Sequence, residues 1–166
     1  MNRNFLAAFV LLILCLSGWF LYYFSDSQVI KRQFHAAAAG IGKEGEETPV
    51  MIALKMRPVK DVLAPLCEVT VPERNYRESL DPALVVRYLI IYRSSQSTLL
   101  LDIEEIEVDL PEKGRAEVSA LVRVVANLNR PDFFEETHRL AFSLQKNEKK
   151  WLIHRAILPD ALVSAR

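Results

Sequence analysis

The fold of this chain is decided by residues 99–126, which read LLLDIEEIEVDLPEKGRAEVSALVRVVA. Apolar and polar residues alternate through most of this stretch, and a period of two is typical of a strand with one buried face. The alternation changes phase once, at Glu104-Glu105, where one extra residue predicts a β-bulge. Beyond the turn that ends at Gly114, every even-numbered residue from 116 to 126 is apolar. The stretch therefore predicts two long strands.

The register of these two strands follows from their apolar faces. A three-residue loop ending in Gly114 sets Val108 opposite Val118, so that apolar side chains meet on one face. A four-residue loop would set Val108 opposite Glu117 instead. We therefore predict an antiparallel hairpin with the three-residue loop.

A second hairpin is predicted from residues 137–145 and 151–158. A tight turn between them pairs Leu140 with Arg155 and places His138 on the same face, diagonal to Arg155. Since the rest of that inner face is apolar, His138 and Arg155 are the candidate ligand-binding residues, which could orient an anionic ligand at the mouth of a pocket. Residues in such positions more often lie at strand ends and reach solvent, which is the alternative.

The first half of the chain predicts helices. Apolar residues at three- and four-residue intervals indicate a helix from Ser25 to about Ala39. Two later helices are each predicted from a capping side chain followed by proline at the first helical position. These pairs are Thr48-Pro49 and Asp81-Pro82.

The segments after these two caps differ in how clearly their sequences predict a helix or a strand. The helix after Pro49 is predicted to stop or kink at Pro58, and a short strand over residues 66–71 follows it. Residues 83–93 are rich in β-branched side chains, which suit a strand, whereas the cap and the length suit a helix. We predict a helix that is apolar nearly all round and therefore buried.

Helices followed by long antiparallel strands make an α+β roll. The order of elements resembles the cone-shaped fold of the nuclear transport factor 2-like superfamily, as do the hairpin ending in Gly114 and the closing strand KWLI at residues 150–153. The resemblance covers about residues 26–158 of a predicted domain at residues 26–166, and implies helices packed on a curved antiparallel sheet. Members include ketosteroid isomerases, scytalone dehydratase, polyketide cyclases, transport adaptors and membrane-anchored periplasmic domains of type IV secretion scaffolds. The resemblance therefore does not select an activity.

The segment from Phe5 to Phe24 contains no charged residue and is long enough to span the hydrocarbon core of a bilayer as a helix. We predict that residues 1–25 are an N-terminal transmembrane anchor. A cleaved secretory signal is the alternative, with SDS at residues 25–27 as the cleavage site. The segment resembles a bacterial signal anchor, which predicts a single-pass inner-membrane protein with a periplasmic C-terminal domain.

Composition argues against several classes of partner. Lys plus Arg and Asp plus Glu both number 21, so there is no excess of positive charge to attract nucleic acid. The two cysteines and three histidines do not follow the spacing of a metal site. There is also no glycine-rich phosphate-binding loop. We expect no nucleic-acid partner, no metal and no cofactor.

The predicted inner face carries no carboxylate within its regular strands, although proton abstraction needs a placed base. Glu105, Glu107, Asp109 and Glu117 take the opposite phase and are expected to face solvent or a partner. Glu104, beside the bulge, is the acid whose facing is ambiguous. We therefore expect that an enzymatic role is the weaker hypothesis.

Three functions stay open. The leading hypothesis is a non-enzymatic, membrane-anchored envelope domain that binds a protein partner or a small ligand. The first alternative is a small-molecule isomerase or dehydratase-like enzyme that uses His138, helped electrostatically by Arg155. The second is a structural module that forms a homodimer through its sheet. An enclosed cavity with His138 at its base and a carboxylate within hydrogen-bond reach would exclude the non-enzymatic hypothesis, and a cavity filled by Phe142, Trp151 and Ile153 would exclude the enzyme.

Overall fold

The computed structural model describes residues 25–163. In chain order the elements are α1 (Asp26–Ile41), α2 (Pro49–Asp61), β1 (Leu63–Val71), a 3-10 turn (Pro72–Arg74), β2 (Tyr76–Leu80), α3 (Pro82–Ser95), β3 (Leu99–Glu112), β4 (Arg115–Ala126), β5 (Phe134–Asn147), β6 (Lys150–Ile157) and α4 (Asp160–Val163). The strands form one six-stranded sheet in the order β2-β1-β6-β5-β4-β3. Among the strands of residues 25–163, only β1 and β6 pair in parallel. The predicted α+β class is confirmed, with a mixed sheet in place of a wholly antiparallel one.

The predicted membrane segment, from Phe5 to Phe24, lies outside the described residues. Within residues 25–163, no helix is both long enough and apolar enough to cross a membrane. The first described helix, α1, begins at Asp26 with Ser25 as its N-cap, and the domain boundary at residues 25–26 stays a prediction.

The β3–β4 hairpin forms with the predicted pairing in its body. Val108 pairs with Val118, so the apolar residues of the two strands share one face. The register then shifts by one residue between Ile103 and Glu105, which confirms the bulge predicted from the change of phase.

The tip of this hairpin differs from the prediction. Glu112 pairs with Arg115, and the chain turns through Lys113 and Gly114 between them. A two-residue turn with a register shift just before it therefore replaces the predicted three-residue loop. Gly114 has a φ of +82°, in the left-handed region that glycine adopts without steric cost.

The inner face of β4 and the helix α1 form the core of the domain. The even-numbered residues of β4 are buried: Ala116, Val118, Ala120, Val122, Val124 and Ala126. Ile30 and Phe34 of α1 are buried against this side of the sheet, and the Phe34 ring meets Phe142 edge-on at a centroid distance of 5.0 Å. Burying two side chains of this size stabilises the fold by about 1.5–3 kcal/mol each.

Both predicted caps begin a helix. The Thr48 side chain accepts a backbone hydrogen bond in the first turn of α2, and Asp81 does the same for α3. Of the two outcomes predicted for Pro58, a stop or a kink, the stop does not occur, because α2 continues to Asp61. Pro58 lies in the last turn, so it removes a single backbone hydrogen bond close to the point where the helix ends.

The helix predicted for residues 83–93 is confirmed as α3, but its predicted burial is wrong. Arg93 is its buried residue, whereas Tyr88 is 55% exposed and Ile91 is 57% exposed. The reason is that α3 has no second layer over it. Val85 and Leu89 line the cavity described below, and the opposite side of the helix meets solvent.

A buried ionic cluster joins the three long helices. The Arg93 Nε donates to the Ile41 carbonyl at 3.2 Å and its Nη2 donates to the Gly42 carbonyl at 2.7 Å. The same Nη2 lies 2.7 Å from one carboxylate oxygen of Glu47, and the other carboxylate oxygen accepts from Lys55 of α2 at 2.7 Å. The end of α1, the start of α2 and the end of α3 are therefore held by one set of charges.

The strand predicted at residues 66–71 is confirmed and begins earlier, at Leu63. The strand β2 was not predicted. Its residues read YRESL, and all except Leu80 are exposed, because β2 is an edge strand that pairs with β1 alone. Such a strand lacks the apolar alternation that marks a half-buried one.

The predicted register between β5 and β6 is wrong. The turn between the strands falls at Glu148-Lys149, so Leu144 pairs with Ile153, whereas the predicted register would have set it opposite Trp151. Ser143 then pairs with Arg155, so His154 is an extra residue in β6. A shift of one residue turns every following side chain to the opposite face. Arg155 therefore lies opposite the outward-facing Ser143 instead of the inward-facing leucine predicted for it.

Candidate functional site

An apolar cavity lies between the inner face of the sheet and the three long helices. Its volume is about 380 Å³, and small-molecule sites are typically about 300–1,000 Å³. The lining includes Phe34, Leu89, Leu101, Val122, Leu140 and Phe142. Phe142 and Ile153 belong to the wall and leave the space between sheet and helices open. The condition that would have excluded an enzyme is therefore not met.

His138 lines this cavity, as part of the inner face of β5. Its side chain is 11% exposed, and its Nε2 lies 3.0 Å from a carboxylate oxygen of Glu136. An ionised carboxylate only accepts hydrogen bonds, so we assign the proton to Nε2 in the neutral ring. The lone pair on Nδ1 is then available to accept a proton or a hydrogen bond.

Glu136 is the candidate site residue that sequence reasoning missed. The prediction assigned it to the polar connection before β5, but the strand begins earlier, at Phe134. Extending the phase of His138 and Leu140 back along the chain places Glu136 on the same inner face. This continuation of the alternating pattern is the signal by which the sequence could have placed Glu136 on the inner face. The expectation that the inner face holds no carboxylate is therefore wrong.

Tyr92, near the end of α3, forms another polar part of the cavity wall. Burial, and then the nearby Glu136 carboxylate, raise the pKa of Tyr92 above its usual value. The phenol therefore stays protonated at neutral pH and can donate a hydrogen bond. Tyr92 and His138 thus place two hydrogen-bonding groups in the cavity wall, and Glu136 places a carboxylate beside His138.

Cys67 of β1 also lines the cavity and is 1% exposed. Burial, with a smaller effect of the neighbouring Glu68 charge, raises the pKa of the Cys67 thiol to about 11. The thiolate is the reactive form of cysteine. Cys67 is therefore a small apolar wall residue at neutral pH and is not placed to act as a nucleophile.

Arg155 and His138 are not brought together by the fold. The Arg155 side chain is about half exposed, and its Nε lies 2.7 Å from a carboxylate oxygen of Glu68. The same oxygen lies 3.7 Å from Arg77 of β2. Arg155 therefore belongs to a row of charges on the outer side of the sheet, and it does not line the cavity that holds His138.

The acids predicted to face outward are exposed. This group comprises Glu105, Glu107, Asp109 and Glu117. Glu104, whose facing was ambiguous, is also exposed, and it lies 3.4 Å from Arg123. Arg123 further contacts Asp102 and Glu135, each at 3.3 Å. The outer face thus consists of cross-strand ion pairs made within the chain.

Metal chemistry finds no support in residues 25–163, where no group of three or more His, Cys, Asp or Glu side chains is arranged to hold an ion. His138 has one carboxylate neighbour, and His154 lies on a different strand. What the described site can do is enclose an apolar molecule and exchange a proton or hydrogen bond with it at His138.

Neither a family model nor a curated protein matches this sequence. Solved structures do match the fold. A candidate scytalone dehydratase from Novosphingobium aromaticivorans is 13% identical, with 79% of this chain and 80% of that chain covered and a TM-score of 0.61. A candidate ketosteroid isomerase from Shewanella frigidimarina is 12% identical, with 81% and 94% covered and a TM-score of 0.56.

A third similar structure carries the fold's name. It is a candidate dehydratase from the nuclear transport factor 2-like family of Streptomyces avermitilis, 8% identical, with 81% of this chain and 94% of that chain covered and a TM-score of 0.60. The fold resemblance predicted from the sequence is therefore confirmed. At these identities the likeness shows the fold alone.

Proposed function

We propose that this domain binds a small, largely apolar organic molecule in its cavity, with His138 contacting the ligand's polar group. The observation that carries the proposal is the combination of an open apolar space of about 380 Å³ with a partly buried histidine in its wall. Binding sites of this kind bury most of a ligand and orient it with a few polar groups. Tyr92 supplies a hydrogen-bond donor from the helical wall of the cavity.

The proposal is tested by filling the cavity. Leu140→Trp adds a bulky ring to the wall, whereas Leu128→Trp adds the same ring to an exposed loop residue and serves as the matched control. The probe is a panel of cyclic ketones, with binding measured by calorimetry. We expect Leu140→Trp to abolish binding and Leu128→Trp to leave it unchanged. Equal binding by both variants, with both folded by circular dichroism, would place the ligand elsewhere and refute the proposal.

A second function, proton-transfer catalysis, is favoured by the hydrogen bond between His138 and Glu136. Nδ1 of His138 would take a proton from the carbon next to a carbonyl group, while Glu136 stabilises the imidazolium that forms. The proton then returns to a different carbon of the same substrate. The reaction is an isomerisation and needs no further reactant. Isomerase and dehydratase names among similar structures fit this class at the level of fold.

Proton transfer has its own readout. Exchange of deuterium from solvent into the α-carbon of a bound cyclic enone is followed by NMR. His138→Gln keeps a hydrogen-bonding side chain without a base and should reduce exchange by about 10²–10⁴-fold. His154→Gln, on another strand, should leave exchange unchanged. If His138→Gln weakens ligand binding and the wild-type chain shows no exchange, the site binds without catalysing.

Anchoring of the domain remains part of the proposed function. The apolar stretch from Phe5 to Phe24 is proposed to hold the domain at the periplasmic face of a bacterial inner membrane. Alkaline carbonate extraction should leave the full chain in the membrane, and its mass should show an intact N-terminus. A mass that begins near residue 25 would support the cleaved-signal alternative.

The dimer alternative is supported less well by the chain's own contacts. The outer face of the sheet would have to pair with a second copy, and its arginines already bind acids of the same chain, as in the contacts of Arg123 and Arg139. Burying these charges at an interface would require their desolvation. Sedimentation of the full chain in detergent measures this directly, and a stable dimer would revive the hypothesis.

A further inference from the structure

The start of α1 is fixed to one end of the sheet. The Asp26 carboxylate accepts hydrogen bonds from Lys146 at 2.6 Å and from the Trp151 indole nitrogen at 3.0 Å. Lys146 also lies over the Trp151 ring, 5.5 Å from its centroid. Burial acts to raise the pKa of Asp26, but these hydrogen bonds lower it below its usual value, so the carboxylate is ionised at neutral pH. Asp26 follows the apolar segment by a single residue, Ser25.

Both hairpin tips of the domain lie at this same end. A surface depression beside Asp26 is lined by Lys113 and Gly114 from the β3–β4 turn, and by Glu148 from the β5–β6 turn. The segment that we propose as the anchor therefore joins the domain next to these two tips. Ser25 alone separates this segment from Asp26 in the sequence, and one residue spans at most about 3.6 Å.

The hairpin tips carry an excess of positive charge. Two of the acids at this end are neutralised by neighbours, Asp26 by Lys146 and Glu112 by Arg115 at 2.7 Å. The remaining exposed charges of the two tips are Lys113, Glu148, Lys149 and Lys150. Three lysines thus face one glutamate, which leaves the tips net cationic beside the point where the apolar segment begins.

We propose that the two hairpin tips dock on the anionic phospholipid surface around the anchor, with Lys113, Lys149 and Lys150 contacting the lipid phosphates. This inference rests on the proposed anchoring and extends it, because it gives the tethered domain one orientation on the bilayer. Lysines close to an anionic lipid surface strengthen binding by about fivefold each. The hydrogen bonds from Lys146 and Trp151 to Asp26 make the docking rigid, because they hold the first residue of α1 beside the tips.

The test compares two positions at opposite ends of β4 in the full chain. Asn147→Cys places a fluorophore at a hairpin tip, and Leu128→Cys places it in the loop after β4, about 35 Å away for a strand of this length. Both are made in a Cys15→Ser background, in which buried Cys67 stays unlabelled. The chain is inserted into vesicles of phosphatidylcholine, with or without phosphatidylglycerol, that carry a quencher on the lipid headgroup.

We expect strong quenching at residue 147, weak quenching at residue 128, and an increase at residue 147 alone when phosphatidylglycerol is present. Replacing the three lysines by glutamine should weaken docking by about a hundredfold and remove the effect of phosphatidylglycerol. Equal quenching at the two positions, or quenching indifferent to both lipid charge and lysines, overturns the docking. Failure of the chain to float with the vesicles overturns the anchor as well, and neither result bears on ligand binding in the cavity.

Discussion

Replacing Arg93 by methionine tests whether the buried ionic cluster holds the helices together. The change removes two hydrogen bonds to backbone carbonyls and the contact with Glu47. Removing one partner of a buried ion pair costs about 3–5 kcal/mol. Two features place Arg93→Met at the lower end of that range. Lys55 remains 2.7 Å from Glu47, and the buried Nη1 of Arg93 has no acceptor among the described residues, so the native cluster already carries a penalty.

The reciprocal change, Glu47→Gln, should destabilise the domain at least as much. It leaves the Arg93 guanidinium, 1% exposed, without a counter-charge. The double variant should cost less than the sum of the single changes, because neither buried charge is left behind. Glu46→Gln is the matched control, since Glu46 is exposed, and a change there should stay within about 0.5 kcal/mol.

Thermal unfolding of the full chain, followed by circular dichroism, measures all four variants. A loss of about 3 kcal/mol should lower the Tm of a domain of this size by about 10 °C. The reasoning would be refuted if Arg93→Met and Glu47→Gln both melted within about 2 °C of the wild type. Strict additivity in the double variant would show that the two side chains do not act as a pair.

Three further outcomes follow from single residues. Burial acts to raise the pKa of Glu47, but Lys55 and Arg93 lower that pKa below its usual value. The Glu47 carboxylate therefore contributes fully to stability above about pH 4.3, and this contribution is lost as the pH falls through the folded-state pKa. Acid titration of unfolding should be less steep for Glu47→Gln than for Glu46→Gln. Gly40→Ala should destabilise by about 1–3 kcal/mol in urea unfolding, since the added methyl group would overlap the Lys55 carbonyl oxygen. In a Cys15→Ser background, Cys67 should resist maleimide at neutral pH until the chain unfolds, because burial raises its pKa to about 11. Labelling of this folded variant would contradict the burial of Cys67.

The predictable parts of the fold are those that depend on a local pattern of residues in the sequence. The alternation along β4 and the change of phase at Glu104 depend on the chain alone, and both survive in the folded domain. The caps at Thr48 and Asp81 are equally local. The edge strand β2 has no such pattern, because it pairs with β1 alone and its residues other than Leu80 are exposed to water.

Burial of α3 could not be predicted for a related reason. A helix that is apolar nearly all round is normally covered on all sides. Here one side faces an open cavity and the other faces solvent, so Tyr88 and Ile91 stay exposed. Whether a second layer exists is a property of the whole arrangement, which the composition of one helix does not contain.

The candidate site was half predictable. His138 could be assigned to the inner face because its strand continues without interruption from Leu140. Arg155 could not, because the extra residue at His154 leaves no mark in the apolar pattern and reverses the facing of everything after it. Glu136 was assigned to a loop because polar residues precede it, although the pairing of β5 with β4 begins at Phe134. One undetected bulge and one misplaced strand start therefore account for both errors.

The buried cluster and the cavity share the end of α3. Arg93 does not line the cavity, but the preceding residue, Tyr92, does, and Tyr92 lies close enough to Glu136 for the carboxylate to raise its pKa. Releasing Arg93 would free the last turn of α3, because its other side meets solvent. The charges that join the helices therefore also fix the distance between the α3 wall and His138 on β5. Stability of the helical layer and shape of the binding site depend on the same contacts, so loss of either partner of the cluster should loosen the site before the sheet unfolds.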